Sequence, residues 1–128
     1  MTFGDAIRNG FSNYVTFRGR ASRSEYWWWA LFTLLLTVGI QLVLGMLLGW
    51  EAGELLANLV SLIVLLPSIA VGARRLHDTD CSGWWLLIGL IPIIGIIVLI
   101  VFFVQEGTAG PNRFGPPPAQ TLRAAPAR

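Results

Sequence analysis

The chain has 128 residues, of which 55% are hydrophobic and 12% charged, and its mean hydropathy is +0.65. A typical soluble domain is about 25% charged, so this composition excludes an ordinary soluble fold and indicates one membrane-embedded domain. All nine basic residues are arginine, and a net charge of +2 clustered beside apolar runs does not predict nucleic-acid binding. The single cysteine, Cys81, excludes an intramolecular disulfide and receives no role.

Residues 1–25 lack the basic start, apolar run and cleavage site of a signal peptide, so we expect no cleaved leader. Within this region, residues 2–15 have an amphipathic pattern. At about 100° per residue, Phe3, Ile7 and Phe11 share one arc of a helix. The pattern predicts an interfacial helix in the headgroup region, and the alternative is a helix packed on the protein's own spans.

Three long apolar segments, 26–50, 55–73 and 84–104, are predicted to be transmembrane helices, because about 20 apolar residues cross a ~30 Å hydrocarbon core. The aromatic run 26–29 and Trp50 would mark the two interfaces of the first span. The turn between the first two spans is expected at residues 51–54. The prediction is therefore an all-α integral membrane protein, with one membrane domain over residues 1–115 and a disordered tail over residues 116–128.

The third apolar segment is interrupted by Pro92 and Gly95. It is either one kinked span or a re-entrant hairpin that turns at residues 92–95. A hairpin turn must be buried inside protein, and three spans offer little cover, so we favour the kinked span.

Arginine counts predict the orientation. Four arginines precede the first span, none lies between the first two spans, and two precede the third segment, so the N-terminus and the central loop are expected in the cytoplasm. Three spans place the three remaining arginines outside, a split of six to three. The hairpin alternative gives nine to zero, which is the best argument for it.

Small and polar residues in the first two spans are predicted to pack one helix on the other. Gly45 and Gly49 form a GxxxG surface that allows a close approach, and Gln41 and Asn58 are the expected hydrogen-bonded pair. The full predicted packing set is Thr33, Thr37, Gln41, Gly45, Gly49, Asn58, Ser61, Ser68 and Gly72.

Charged residues gather at the predicted cytoplasmic interface. Ser22 and Glu25 have capping-box spacing at the start of the first span. Arginines are expected to pair with carboxylates there, because unpaired charges at low dielectric are costly. Such a cluster either only folds the loop or binds anionic headgroups or an acidic partner, with His77 as a pH-sensitive member. The predicted cluster is Arg18, Arg20, Arg23, Glu25, Arg74, Arg75, His77, Asp78 and Asp80.

The sequence predicts no enzyme, no cofactor and no metal site. His77, Asp78 and Ser82 are the residue types of a hydrolytic triad, but neighbours in sequence rarely have triad geometry. One histidine and one cysteine cannot supply a usual zinc site, although Asp78 and Asp80 with a lipid phosphate are chemically suited to magnesium. We expect a non-catalytic module that binds lipid headgroups, a membrane-protein partner or a second copy. The alternative is a subunit of an oligomeric transporter or channel, and an enzyme acting on a lipid phosphate is less favoured because the site evidence is weak.

Three motifs follow one another in the chain: Phe-Arg-Gly-Arg-x-x-Arg-x-Glu-Tyr-Trp at 17–27, Arg-Arg-Leu-His-Asp-x-x-x-Ser-Gly-Trp-Trp at 74–85, and Gly-Thr-x-Gly-x-Asn-Arg-Phe-Gly at 107–115. In this order they resemble the domain-of-unknown-function family 805, small bacterial inner-membrane proteins. The resemblance covers about residues 10–118. It implies a cytoplasmic-membrane location and a three-span core, and it implies no mechanism.

Overall fold

The computed structural model describes residues 1–118, and these contain four α-helices, one 3₁₀-helix and no β-strand. The all-α prediction is therefore confirmed for this part of the chain. The tail predicted over residues 116–128 lies, from residue 119 onward, outside the described residues. The elements in chain order are α1 Phe3–Ser12, α2 Arg23–Leu48, α3 Trp50–Asp78, the 3₁₀-helix Gly83–Leu90 and α4 Ile94–Val104.

The two long helices, α2 and α3, form an antiparallel hairpin, and both are long and apolar enough to cross a membrane. One residue, Gly49, joins them with a φ of 100°, a conformation that glycine adopts without steric cost. The turn expected at residues 51–54 was wrong, since these residues form the first turn of α3.

The hairpin is closest where two glycines face each other. A Cβ added at Gly53 would lie 2.6 Å from the Gly45 backbone nitrogen and 2.8 Å from the Gln41 carbonyl oxygen. Only glycine therefore permits this crossing. The structure uses Gly45 as a packing residue but not Gly49, which is exposed at the connection.

Other predicted packing residues have different surroundings. Asn58 is exposed, and no hydrogen bond joins it to Gln41 within residues 1–118, so that expected pair is not formed. Gly72 faces away from α2, because a Cβ there would meet Leu86 of the 3₁₀-helix at 3.1 Å. The predicted packing residues of α3 thus face two different neighbours: Ser61 and Ser68 face α2, and Gly72 faces the 3₁₀-helix.

Hydroxyl-bearing residues line an open groove of about 350 Å³ between α2 and α3. Each hydroxyl donates to a carbonyl of its own helix, which satisfies it without a partner helix. The Ser68 hydroxyl also accepts a hydrogen bond from the Trp29 indole nitrogen at 2.9 Å. The members of this groove from the predicted set are Thr33, Thr37, Ser61 and Ser68.

The N-terminal helix α1 packs on α2. Thr2 caps it, and Thr2 and Asp5 form a complete capping box. Hydrogen bonds with Thr2 and then Arg8 hold the pKa of the Asp5 carboxyl below its ordinary value. The apolar arc predicted for this helix contacts the aromatic face of α2, where the Phe11 and Trp29 rings are 5.2 Å apart.

Trp29 lies in the core and not in an interfacial belt. It is 1% exposed and packs with Val64 and Val71 of α3, whereas Trp27 and Trp28 are each 38% exposed. A Cβ at Gly10 of α1 would overlap the Trp29 ring, so α1 needs glycine at this contact. The N-terminal helix is therefore part of the folded bundle.

Residues 83–104 form a hairpin, which differs from the single kinked helix that we favoured. The 3₁₀-helix and α4 are separated by a turn at residues 91–93, where Ile93 has a φ of 67°. A Cβ at Gly95 would overlap the Ile88 carbonyl, and the Trp85 and Phe102 rings are 5.7 Å apart. The two arms therefore fold back on each other.

Both ends of this hairpin lie beside the last turns of α3. At its start, a Cβ at Gly83 would lie 3.1 Å from Ala73. At its end, the Phe103 carbonyl accepts a hydrogen bond from Arg75 Nε at 3.0 Å. The start of α2 is also here, because the Ala21 amide donates to the Arg74 carbonyl at 2.9 Å. All three motifs of the sequence consequently meet at one end of the molecule.

Candidate functional site

Asp78, at the end of α3, is the centre of a buried charge cluster. Its carboxylate accepts from Arg20 Nε at 3.0 Å and from Arg75 Nη1 at 2.5 Å. The three side chains are at most 5% exposed. The carboxylate thereby joins the first and second motifs inside the protein, where a charge is stable only when it is paired.

A second buried pair joins α2 to α3. Glu25 accepts from Arg74 Nη1 at 2.8 Å, and both side chains are at most 5% exposed. The Asn9 amide of α1 also donates to the Glu25 carboxylate. Ser22 caps α2 as predicted, accepting from the Glu25 amide at 3.2 Å. The reciprocal half of the expected capping box is not formed, because the Glu25 carboxylate binds Arg74 instead.

The C-terminal loop, residues 105–118, closes over these pairs. Arg20 donates to the carbonyls of Thr108 at 2.5 Å and Gly110 at 2.7 Å, and Arg75 donates to the Gln105 carbonyl. The Thr108 amide donates to the Asp78 carbonyl at 2.7 Å. These carbonyls accept from further guanidinium donors of Arg20 and Arg75, so the loop completes their surroundings. Two nitrogens of Arg74, Nε and Nη2, are buried without a hydrogen-bond partner within residues 1–118.

His77 is held by neighbours on both sides. Its Nδ1 donates to the Gly19 carbonyl at 3.0 Å, and its ring stacks on Phe114 with centroids 4.0 Å apart and planes 5° apart. The Asn112 amide donates to the His77 carbonyl at 2.9 Å. A carbonyl can only accept, so Nδ1 carries a proton and the neutral ring has its lone pair on Nε2.

The remaining described arginines are exposed. Arg113 pairs with Asp80 at 3.2 Å, with side chains 65% and 43% exposed. The Arg23 guanidinium pairs with the Glu106 carboxylate at 3.9 Å and forms no ion pair with Asp80 or Glu25. These surface pairs are weak, because solvent screens them. The arginines of the predicted cluster therefore divide into buried, paired ones (Arg20, Arg74 and Arg75) and exposed ones (Arg18 and Arg23). Arg8 and Arg113, which were not in the predicted cluster, are also exposed.

Within residues 1–118, His77, Asp78 and Ser82 do not form a hydrolytic triad. The Asp78 carboxylate binds two guanidinium groups, and His77 binds a backbone carbonyl, so these two do not form a dyad. The Ser82 hydroxyl accepts from the Trp84 amide, capping the 3₁₀-helix. Among residues 1–118 there is no group of three histidine, cysteine or acidic side chains able to hold a metal ion.

An apolar groove of about 480 Å³ opens beside His77. It lies between the last turns of α3 and the 3₁₀-helix, and Phe17 and Phe114 complete its lining. Sequence reasoning missed this groove and the contribution of residues 105–115. The third motif was the available signal for that loop, but nothing in its spacing showed that its carbonyls would meet Arg20.

Comparisons with known proteins agree with the fold and the motifs. The profile of the family described as "Protein of unknown function (DUF805)" matches residues 14–116. Inner membrane protein YhaH of Escherichia coli K12 is 51% identical over 109 residues, which cover 83% of this chain and 89% of the relative. Inner membrane protein YhaI of the same strain is 48% identical over 111 residues, covering 83% and 88%.

No solved structure matches the chain significantly. The family profile covers most of the sequence and all three motifs, and the two relatives align over nearly their whole length. The resemblance inferred from the motifs is therefore confirmed. Two helices of this chain suit membrane spans, and the relatives are inner membrane proteins. The chain belongs to the DUF805 family of small membrane proteins.

Proposed function

We propose that this chain is a multi-pass protein of the inner (cytoplasmic) membrane in which α2 and α3 span the bilayer. In this proposal residues 83–104 enter and leave on the cytoplasmic side as a re-entrant hairpin, and α1 lies at the interface while packed on α2. The two hairpin ends beside Arg75 support this arrangement. It places all nine arginines on one side, a split that the positive-inside rule strongly favours.

The proposed role is binding of anionic lipid headgroups at the cytoplasmic surface, without catalysis. The observation that carries it is the division of the arginines. The buried ones are engaged by Asp78, Glu25 and carbonyls, so they serve folding. The exposed ones (Arg8, Arg18, Arg23 and Arg113) lie around the same end, where each arginine contributes about 1 kcal/mol of attraction to an anionic leaflet.

The topology is tested with reporters fused after residue 128. A reporter active only in the cytoplasm should give signal, and one active only in the periplasm should not. A control fusion that ends at Gly49, between the proposed spans, should give the opposite pair of signals. A periplasmic C-terminus would refute the re-entrant hairpin and restore three spans.

Headgroup binding is tested by the lipids that co-purify in a mild detergent. The variant with Arg8, Arg18, Arg23 and Arg113 all changed to Gln should lose the enrichment of phosphatidylglycerol over phosphatidylethanolamine. The matched control is Glu51→Gln with Glu54→Gln, which alters charge at the opposite end of the bundle. Equal enrichment in the wild type and the arginine variant would refute the proposed role.

A second proposal is a subunit of an oligomeric transporter or channel. The groove of hydroxyl-bearing residues between α2 and α3 favours it, because that polar surface faces outward from a single chain. Proteoliposomes that contain the wild type should then show a solute flux that is lost with Thr37→Val plus Ser61→Ala. Absence of flux with every ion tested would count against this alternative.

A further inference from the structure

The groove beside His77 is lined almost entirely by apolar side chains, and at His77 it adjoins the charge cluster. Away from the cluster it is lined by Ile69 and Ala73 of α3 and by Leu87 of the 3₁₀-helix. Phe17 and Phe114 also line it, and Phe114 stacks on His77, next to Asp78 of the charge cluster. A ligand that fits must therefore be apolar at one end and able to reach a cationic surface at the other.

Two exposed arginines adjoin residues that line the groove, Arg113 beside Phe114 and Arg18 beside Phe17. The Arg113 guanidinium lies 5.1 Å from the centroid of the Phe114 ring, and Arg18 follows Phe17 directly in the chain. Arg113 is bound to Asp80, but both side chains are well exposed and such a pair contributes little. A phosphate can therefore compete for Arg113, and the charge of this edge is complementary to an anionic headgroup.

The walls of the groove are fixed before any ligand binds. His77 is held by the Gly19 carbonyl and by Phe114, and Ser82 is engaged as the cap of the 3₁₀-helix. The volume of about 480 Å³ is within the range of sites for small molecules, roughly 300–1,000 Å³. An α-helix with side chains is about 10 Å wide, so a flexible hydrocarbon chain fits this space better than a partner helix.

We propose that the groove binds one acyl chain of an anionic phospholipid, whose phosphate lies against Arg113 and Arg18. This inference rests on the proposed headgroup binding and makes it specific: one lipid is held at one place, in addition to the general attraction of the surface. The apolar groove selects a lipid over a free phosphate, and the two arginines select an anionic lipid over a zwitterionic one.

The test compares two leucines of the 3₁₀-helix. Leu87 lines the groove and is 56% exposed, whereas Leu90 does not line it and is 80% exposed. Native mass spectrometry with added phosphatidylglycerol should show one tightly retained lipid on the wild type and on Leu90→Trp. Leu87→Trp should fill the groove and weaken retention by at least about tenfold, or ~1.4 kcal/mol.

A second measurement does not depend on the folding of a variant. Phosphatidylglycerol with a photoreactive group in its acyl chain should label the wild type at residues 69–73 and 84–87. Labelling spread over α2 and α4 instead, or equal retention by both tryptophan variants, would refute the groove site.

The outcomes separate this inference from the proposed function. If phosphatidylglycerol is enriched through the exposed arginines but the groove is not labelled, only the groove site is refuted. If phosphatidylcholine is retained as well as phosphatidylglycerol, the anionic selection of both proposals is refuted. A second protein copy that occupies the groove and excludes lipid would also overturn the inference.

Discussion

Asp78→Asn should strongly destabilise the protein. The substitution keeps the size of the side chain but removes the charge that faces Arg20 at 3.0 Å and Arg75 at 2.5 Å. Both guanidinium groups are almost completely buried, so solvent cannot replace the lost carboxylate. Breaking a buried ion pair in this way costs about 3–5 kcal/mol. Because Arg20 keeps its bonds to loop carbonyls, we expect the lower end, about 3 kcal/mol.

The matched control is Asp80→Asn. The Asp80–Arg113 pair joins the segment after α3 to the same C-terminal loop. Its side chains are 43% and 65% exposed, so its loss should cost less than about 1 kcal/mol. Both variants would be unfolded in mixed dodecyl maltoside and SDS micelles, with helix content followed by circular dichroism. If Asp78→Asn destabilises the protein no more than Asp80→Asn, the buried cluster does not hold the three motifs together.

Three further predictions concern single positions. Gly53→Leu should separate α2 from α3 and lower the thermal midpoint of unfolding, whereas Gly39→Leu, where a Cβ meets open space, should not. Gly107→Ala should release the C-terminal loop to proteolysis, because its Cβ would overlap the Asp78 carboxylate. The folded-state pKa of Asp5 is lowered, so its contribution to α1 is present above the unfolded pKa and lost as pH falls through the folded value. Hydrogen exchange of α1 should therefore accelerate below about pH 4, and Asp5→Asn should remove that dependence.

The long apolar helices could be predicted because their signal is local and strong. About 20 consecutive apolar residues with few charges identify a span whatever surrounds them. The connection between α2 and α3 was misplaced because residues 51–54, Glu-Ala-Gly-Glu, resemble a turn, while one glycine is sufficient for the reversal. Local composition could not show that Gly49 alone would adopt a positive φ.

The hairpin at residues 83–104 could not be decided from the sequence. Pro92 and Gly95 marked the interruption, but whether the chain reverses there depends on cover from other elements. The arms pack closely on each other, since Gly95 lies against the Ile88 carbonyl, whereas the turn itself is exposed within the chain, with Ile91 at 51% and Ile93 at 72%. The nine-to-zero split of the arginines favoured a reversal of the chain here, and it was a stronger signal than the small number of spans available to cover the turn.

The charge cluster could be predicted as a set but not as pairs. Buried charges require partners, so a concentration of arginines and carboxylates between apolar runs indicates an internal network. The actual partners depend on three-dimensional approach: Arg20 reaches Asp78 across 58 positions of sequence and Gly115 across 95. Which arginines would be buried and which exposed could not be read from spacing.

The carbonyls that receive the Arg20 guanidinium have a consequence for biosynthesis. The ribosome synthesises these residues, Thr108, Gly110 and Gly115, after both long helices. Arg20 therefore lacks these three carbonyl acceptors while the helices are inserted. In the proposed topology, its positive charge is then free to hold the amino terminus on the cytoplasmic side. Once the third motif has been synthesised, its carbonyls accept hydrogen bonds from Arg20, and the arginine becomes part of the folded interior. We expect a chain that ends before Thr108 to lack these hydrogen bonds to Arg20 and to be degraded.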